Sequence, residues 1–563
     1  MLTLHGPGHR KTRIAVGRLL GIGASVVLLA ACASTPPRAN LASQAPPPIV
    51  PAPASTSATP APYPAPMQAA NVRDRIADYI GQSRFRHARW GIDVVDLDSG
   101  QVRYSHDADK LFVPASNAKL FTAALALAQF GGDARFHTTL YTSASNRANG
   151  ILAGDLILYG GGDPSLGDAA VTPATLDWAE RFAGAVADLG ITRIDGDLIA
   201  DDTRFAGPAY GTGWEVDDLA TWYAARPSAL SNANNMIVVE VGRQGRSCCT
   251  VSVTPDTSAV SIDNQTRSAA PGGPLFVHRA VGSNRIDVGG HLPDGTASRR
   301  FALASPDPAL QAAYTLRDAL SRHGIRLQGR VRAVHWPTPS AVTARSRQLA
   351  RIASPPLREL LRQMLKQSDN LYAQVLWLDV GAQRQAGGGA CADEPSPPLS
   401  TEQWGVCAMR ALLAGIGAPE QAMFSEGSGL SRRDLVTPAA LTSLLTWVAR
   451  QPFAGDFKAA LPIAAVDGTL KNRLAGSAAA GTLTAKTGTL THVYALSGYV
   501  PDASGRQLAF SLLLNHYQRP RDASGRPTAP APRDDLDAIA AMLAAATWDP
   551  RAPAAAGAGA AVR

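Results

Sequence analysis

A chain of 563 residues is long enough for two or three domains and a sizeable core. Its formal net charge of +8 is mild, and charged residues make up only 17% of it. There is no dense Lys/Arg run and no zinc-finger spacing, which excludes nucleic acid as a partner. A small basic surplus also suits an acidic polymer, but charge alone does not choose one. Lysine is scarce: Lys11, Lys110, Lys119, Lys366, Lys458, Lys471 and Lys486 are the whole set. Arginine supplies the rest of the positive charge. A lysine at a functional position is therefore there for something arginine cannot do, since a desolvated ammonium can lose its proton and a guanidinium cannot.

The chain opens on a targeting segment, 1–31. His9, Arg10, Lys11, Arg13 and Arg18 form a basic region, and residues 19–31 form an apolar core too short to count as a membrane span. That core ends in Leu29-Ala30-Ala31-Cys32, which resembles a bacterial lipobox. The resemblance implies cleavage before Cys32, lipidation of Cys32 and membrane contact through that anchor only. Ala33 is not the aspartate associated with inner-membrane retention, so the pattern leans towards a periplasm-facing protein of the outer membrane. Residues 32–70 are rich in Pro, Ala and Ser, as in Pro46-Pro47-Pro48, and read as an extended, semi-rigid tether.

Residues 73–82 have helical spacing. Residues 90–96 and 101–105 read as a hairpin around Asp98-Ser99-Gly100. An apolar, alanine-rich helix follows over 120–130 and stops at Gly131-Gly132. From about 141 to 343 the texture changes to short β-like runs punctuated by Gly, Asp and Pro, read as one or two inserted smaller domains. Helices return at 357–366, 370–378 and 439–448. Strands are expected over 483–485 leading into Lys486, over 494–500 and over 508–514, with a closing helix at 535–546. The expected organisation is a domain split into 71–140 and 344–549 around the insertion, with an Ala/Gly-rich tail at 550–563. Setting Cys32 aside leaves an even number of cysteines, which an oxidising compartment permits to pair. Cys391 and Cys407 flank a Gly/Pro/Ser-rich loop and are a candidate disulfide worth about 3 kcal/mol. Two free buried thiols is the other reading. Cys248-Cys249 has no firm account at this level.

Chemistry concentrates in three short motifs. Ser116-Asn117-Ala118-Lys119 heads the apolar helix, placing Ser116 and Lys119 one turn apart on one face. A serine hydroxyl is a poor nucleophile unless a base takes its proton. A lysine buried in an apolar helix has a lowered pKa and can be that base. Taken alone, the pair reads more readily as a chance surface feature, a reading the downstream motifs reverse. Ser368-Asp369-Asn370 follows, with Ser368 able to relay a proton to a leaving amine and Asn370 able to bind a substrate amide with both ends of its own. The same triplet is good helix-capping chemistry, and both readings can hold. Lys486-Thr487-Gly488 comes last. Lys486 and Thr487 suit a substrate carboxylate, and Gly488 removes a side chain so that substrate can lie along a strand edge. The N–H groups of Thr489 and Ser116 would form an oxyanion hole.

These motifs in this order resemble the class C low-molecular-mass penicillin-binding proteins, the D-alanyl-D-alanine carboxypeptidase/endopeptidase family. Further segments carry the resemblance: Gly161-Gly162-Asp163-Pro164-Ser165-Leu166, Gly196-Asp197-Leu198, Trp214-Glu215-Val216-Asp217-Asp218, Gly427-Ser428-Gly429-Leu430-Ser431-Arg432, Asp467-Gly468-Thr469-Leu470 and Leu496-Ser497-Gly498-Tyr499. The long interval between Ser116 and Ser368 discriminates, because class A β-lactamases carry the same triplets without such an insert. The resemblance implies an α/β (α+β) penicillin-binding-protein/β-lactamase-like transpeptidase domain carrying a large inserted region. It implies an acyl-serine cycle on peptidoglycan stem peptides and D-Ala cross-links, with β-lactams as covalent inhibitors. It also implies a pocket for the stem-peptide side chain built from Asp218 (or Asp217), Arg432 and Leu490. Glu426 departs from the family's usual aspartate before Gly-Ser-Gly.

Two rivals remain at the level of sequence. One is a β-lactamase or esterase on the same scaffold. The other is a non-catalytic wall-binding lipoprotein, against which the intact Ser116, Lys119, Ser368, Asn370 and Lys486 argue. No cofactor and no metal are expected, since the histidines are scattered, no H-E-x-x-H appears, and His492 reads as structural.

Overall fold

The computed structural model describes residues 67–548, apart from residues 86 and 294 and the stretches 145–146, 169–175, 245–246, 256–258, 268–272, 389–390 and 392–399. The targeting segment, Cys32, nearly all of the tether and the tail lie outside the described residues.

An antiparallel five-stranded sheet organises the part of the chain that holds the three motifs. Its strand order is Thr484–Leu490, Val493–Pro501, Gln507–Asn515, Arg89–Asp96 and Val102–His106. The central strand Gln507–Asn515 is a nearly continuous apolar run because both its faces are covered. Ala509 and Leu513 enter one core, while Leu508, Phe510, Leu512 and Leu514 enter the other. The first core lies against the helices Ala118–Phe130, Leu357–Lys366, Asn370–Ala386, Thr401–Gly415 and Pro438–Val448. The second lies under Arg533–Ala545 and Ala69–Gly81, through Leu536, Ile539 and Leu543 and through Val72 and Ile76.

Arg89–Asp96 pairs in full register with Gln507–Asn515, from Arg89 opposite Asn515 to Asp96 opposite Leu508. The pairing joins opposite ends of the sequence. It brings the helix after Ser116 against elements that follow the insertion.

The insertion forms two further layers. A five-stranded sheet ordered Val331–Val334, Leu198–Asp201, Leu156–Tyr159, His137–Thr142 and Arg347–Ala353 packs on the helices Trp178–Asp188 and Pro308–Arg322. The chain enters and leaves this layer on the paired strands His137–Thr142 and Arg347–Ala353. Two three-stranded sheets then enclose a small core of Ile237, Val239, Val241, Ile286, Val288, Phe301 and Leu303. Cys391 and Cys407 are bonded to each other, fixing the chain before the helix Thr401–Gly415 onto it. Cys248 and Cys249 are likewise bonded, and nothing in the structure gives that pair a role.

Candidate active site

Ser116 lies in a single 3-10 turn, Ala115–Asn117, running into the helix Ala118–Phe130. Every residue from Ala118 to Leu127 is buried, so Lys119 is carried into the interior by the apolar residues around it. Two glycines let other segments close on this turn. A Cβ on Gly429 would lie 2.0 Å from the Ala115 carbonyl oxygen, and one on Gly488 would lie 2.8 Å from that of Pro114. The missing side chain of Gly488 is required by the turn carrying Ser116 packed on it, a contact the sequence reading did not include.

Lys119 is 0% exposed. Its Nζ lies 2.9 Å from Ser116 Oγ and donates to Asn370 Oδ1 at 2.5 Å and to the Ser428 carbonyl at 2.6 Å. Burial pushes its pKa down to about 8, against the opposing pull of the Glu426, Asp369 and Asp434 carboxyls. Asn370 cannot turn its amide around, because its Nδ2 donates to the Tyr223 carbonyl at 2.8 Å.

Asn370 opens the helix Asn370–Ala386, with Asp369 as its N-cap accepting from the Tyr372 N–H. Ser368 sits just before, in the left-handed region at φ 61°. The triplet is thus a tight loop, not a strand, and it both caps the helix and faces the site. Lys486, also 0% exposed, donates to Ser368 Oγ at 2.8 Å and to the Thr487 carbonyl at 2.8 Å. Burial, and then the charge of Lys119, push its pKa well below the ordinary lysine value. A carboxylate arriving beside it would favour the charged form again.

Thr484–Leu490 is an edge strand, so one side of the Lys486-Thr487-Gly488 segment is free of sheet partners. Thr487 Oγ1 bonds Thr469 Oγ1 at 2.8 Å, and Thr489 is exposed near the strand end. His492 completes the tight turn to the next strand at φ 64°, its ring Nδ1 2.8 Å from the Tyr517 carbonyl oxygen.

The remaining motifs brace these groups. Glu426 is wholly buried and accepts the N–H groups of Ser428 at 2.7 Å, Gly429 at 2.6 Å and Ser431 at 3.3 Å. It folds the loop whose Ser428 carbonyl holds Lys119, which gives the departure at Glu426 a concrete structural task. Asp434 beside it accepts the Ser425 N–H, and burial followed by the Glu426 charge raises its pKa well above the carboxylate range. Asp467 pairs with Lys366, next to the Ser368 loop, and accepts the Ile463 N–H at 2.9 Å. Gly162 leaves room for Asp379 on the helix Asn370–Ala386, and Tyr372 on that helix donates to Asp168 at 2.7 Å.

The three side-chain-pocket candidates gather around one small cluster. Leu490, Tyr223 and Leu219 pack against Trp214, Ala224 and Leu430. Asp218 accepts the Tyr223 hydroxyl at 2.6 Å, and burial raises its pKa. Arg432 pairs with Glu215 at 2.9 Å and donates to the Thr491 carbonyl, so its carboxylate partner is Glu215 and neither aspartate. Sequence reasoning missed Tyr223, Glu402, Gln374 and the Ser428 carbonyl. Among the described residues there is no group of three or more His, Cys, Asp or Glu able to hold a metal ion.

A family model described as D-Ala-D-Ala carboxypeptidase 3 (S13) matches residues 72–541. The D-alanyl-D-alanine carboxypeptidase of Actinomadura sp. (strain R39) is 34% identical over 475 residues, 81% of either chain. A D-alanyl-D-alanine carboxypeptidase of Haemophilus influenzae is 27% identical over 434 residues, 76% of this chain and 85% of that one. The crystal structure of penicillin binding protein 4 from Haemophilus influenzae superimposes with a TM-score of 0.67 at 25% identity, covering 82% of this chain and 97% of that one. The same protein complexed with a novel β-lactam gives a TM-score of 0.64 at 25% identity, covering 83% and 97%. With a match running almost the full length of the described residues and the three motifs meeting in one site, the chain belongs to the D-Ala-D-Ala carboxypeptidase 3 (S13) family.

Proposed function

We propose that this chain is a serine-type D-alanyl-D-alanine carboxypeptidase and endopeptidase that hydrolyses peptidoglycan stem peptides through an acyl-serine intermediate and is acylated by penicillins. The observation that carries the reading is the wholly buried Lys119, its pKa depressed to about 8, with Nζ 2.9 Å from Ser116 Oγ. Neutral Lys119 takes the hydroxyl proton as Ser116 Oγ attacks the D-Ala carbonyl carbon. The N–H groups of Ser116 and Thr489 receive the developing oxyanion. As the C–N bond breaks, Ser368 passes its proton to the leaving amine and recovers one from Lys486, 2.8 Å behind it. On deacylation the attacking water returns a proton through Ser368 to Lys486, and Ser116 takes back its own from Lys119. Lys486 and Thr487 bind the terminal carboxylate, the second N–H of Asn370 Nδ2, beside the one held by the Tyr223 carbonyl, binds the substrate amide, and Gly488 brings the strand edge close. Water then releases the acyl group. Asp218, Arg432 and Leu490 line the pocket for the stem-peptide side chain.

A fluorescent penicillin should label the wild type covalently, and Ser116→Ala should abolish the label. Muropeptides should lose terminal D-Ala and cross-links with the wild type alone. Labelling that persists in the alanine variant would remove Ser116 as the nucleophile.

A cell-wall family works outside the cytoplasm. The finer placement proposed is a lipoprotein anchored through Cys32, facing the periplasm from the outer membrane, with residues 32–70 as the tether. Among the described residues no helix is long and apolar enough to cross a membrane. Radiolabelled palmitate should enter the protein and be lost on Cys32→Ser. Retained label would place the acyl chain elsewhere.

A further inference from the structure

Residues 212–223 carry Asp218 of the proposed side-chain pocket, with Trp214, Leu219 and Tyr223 packed in the adjoining cluster, and both ends of this segment are tied to Lys119. At the far end the Tyr223 carbonyl accepts from Asn370 Nδ2, and Asn370 Oδ1 accepts from Lys119. At the near end Thr212 donates its N–H to Glu402 Oε1 at 3.2 Å and its hydroxyl to Glu402 Oε2. Gln374 Nε2 donates to the same carboxylate at 2.7 Å, and Gln374 Oε1 accepts the Gly427 N–H at 2.8 Å. The next residue is Ser428, whose carbonyl accepts from Lys119 at 2.6 Å.

Glu402 lies in the first turn of the helix Thr401–Gly415 and is 5% exposed. Three donors fill its oxygens, and none is a cation. Burial raises its pKa to about 7 against the hydrogen bonds from Thr212 and Gln374, so losing any one of these donors disturbs the carboxyl group. The neighbouring backbone leaves little slack. A Cβ on Gly213 would lie 2.4 Å from Ser431 Oγ, and one on Gly427 would lie 2.5 Å from Trp377 Cβ. Thr401 fixes the preceding stretch as well, exchanging hydrogen bonds with Ala206 at 2.7 and 2.9 Å.

We infer that Glu402 is a positioning residue coupling the side-chain pocket to Lys119, so that filling the pocket is expressed as faster acylation rather than tighter binding. It rests on the acyl-serine reading above and extends it. A stem-peptide side chain seated among Trp214, Asp218 and Leu490 orders residues 212–223. Through Glu402 and Gln374 that order reaches the Ser428 carbonyl, and through Asn370 it reaches Lys119 from the other side. Binding energy from a non-reacting part of the substrate is then spent on aligning the base.

The test measures acylation by two probes: a fluorescent penicillin, which lacks the stem side chain, and a D-Ala-D-Ala peptide bearing a free amino and carboxyl side chain. In Glu402→Gln, kcat for the side-chain-bearing peptide should fall about tenfold with KM little changed, the size expected for directly coupled neighbours. Penicillin acylation should fall less, so the preference for the side-chain-bearing probe shrinks. Thr212→Val removes one donor, leaves Gln374 and Glu402 in place, and should shift the preference the same way. It also carries the test if Glu402→Gln does not fold. An unchanged ratio of the two rates in Thr212→Val, or a change confined to KM, would overturn the coupling. A wild type that penicillin fails to label would overturn the acyl-serine reading itself, which is a separate outcome.

Discussion

Lys119→Arg should lower the acylation rate by about 10³-fold at pH 7, within the range that a positioned general base contributes. The buried site depresses the Lys119 pKa to about 8, so a useful fraction of the wild type holds a neutral amine near neutral pH. A guanidinium keeps its proton under the same desolvation and cannot accept one from Ser116. Lys119→Met separates lost base chemistry from buried charge, since methionine fills the volume without either. Both variants should lose acylation, and thermal melting shows whether the fold is retained. A base works deprotonated. In the wild type the rate should therefore climb with pH, about tenfold per unit well below pH 8, and level off above it. A Lys119 acting as a fixed cation would instead give a rate that is flat below pH 8 and falls above it. Near-normal acylation in folded Lys119→Arg would remove Lys119 from the proton transfer.

The three motifs were legible in the sequence because each is local: Ser116 to Lys119, Ser368 to Asn370 and Lys486 to Gly488 are each spelled out within one turn or strand segment. The helices 357–366 and 439–448 were legible for the same reason, since their apolar spacing is a property of consecutive residues. The parts that were not legible are contacts between distant segments. Glu402 meets Thr212 across 190 positions, and Asn370 meets Tyr223 across 147. No periodicity marks either pair. Glu426 was read as a departure from a pattern, and only the folded loop shows three backbone N–H groups converging on it. Gly488 was given a ligand-side reason, whereas the folded chain adds the close approach of the Pro114 carbonyl. The helix Trp178–Asp188 went unread because it lies in a stretch whose Gly, Asp and Pro spacing suggests strands.

The penicilloyl adduct on Ser116 should far outlast the peptidyl adduct. After a peptide acylates the serine, its D-amino acid departs and vacates space for water. A ring-opened β-lactam keeps its leaving amine tethered and blocks that approach. Class A β-lactamases answer this with a glutamate that positions the water. Here none of the described hydrogen-bond partners of Ser116 and Lys119 is a carboxylate, since Lys119 meets Ser116 Oγ, Asn370 and the Ser428 carbonyl. The nearby glutamates are committed elsewhere. Glu426 accepts three backbone N–H groups, Glu402 is held by Thr212 and Gln374, Glu215 pairs with Arg432, and Glu359 pairs with Arg362 on its own helix. Freeing Glu426 would unfold the loop that aims Lys119, so it cannot serve deacylation without harming acylation. Intact-protein mass spectrometry over time reads both adducts directly. A penicilloyl mass that disappears as fast as the peptide turns over would contradict this account and would favour a β-lactamase on the same scaffold.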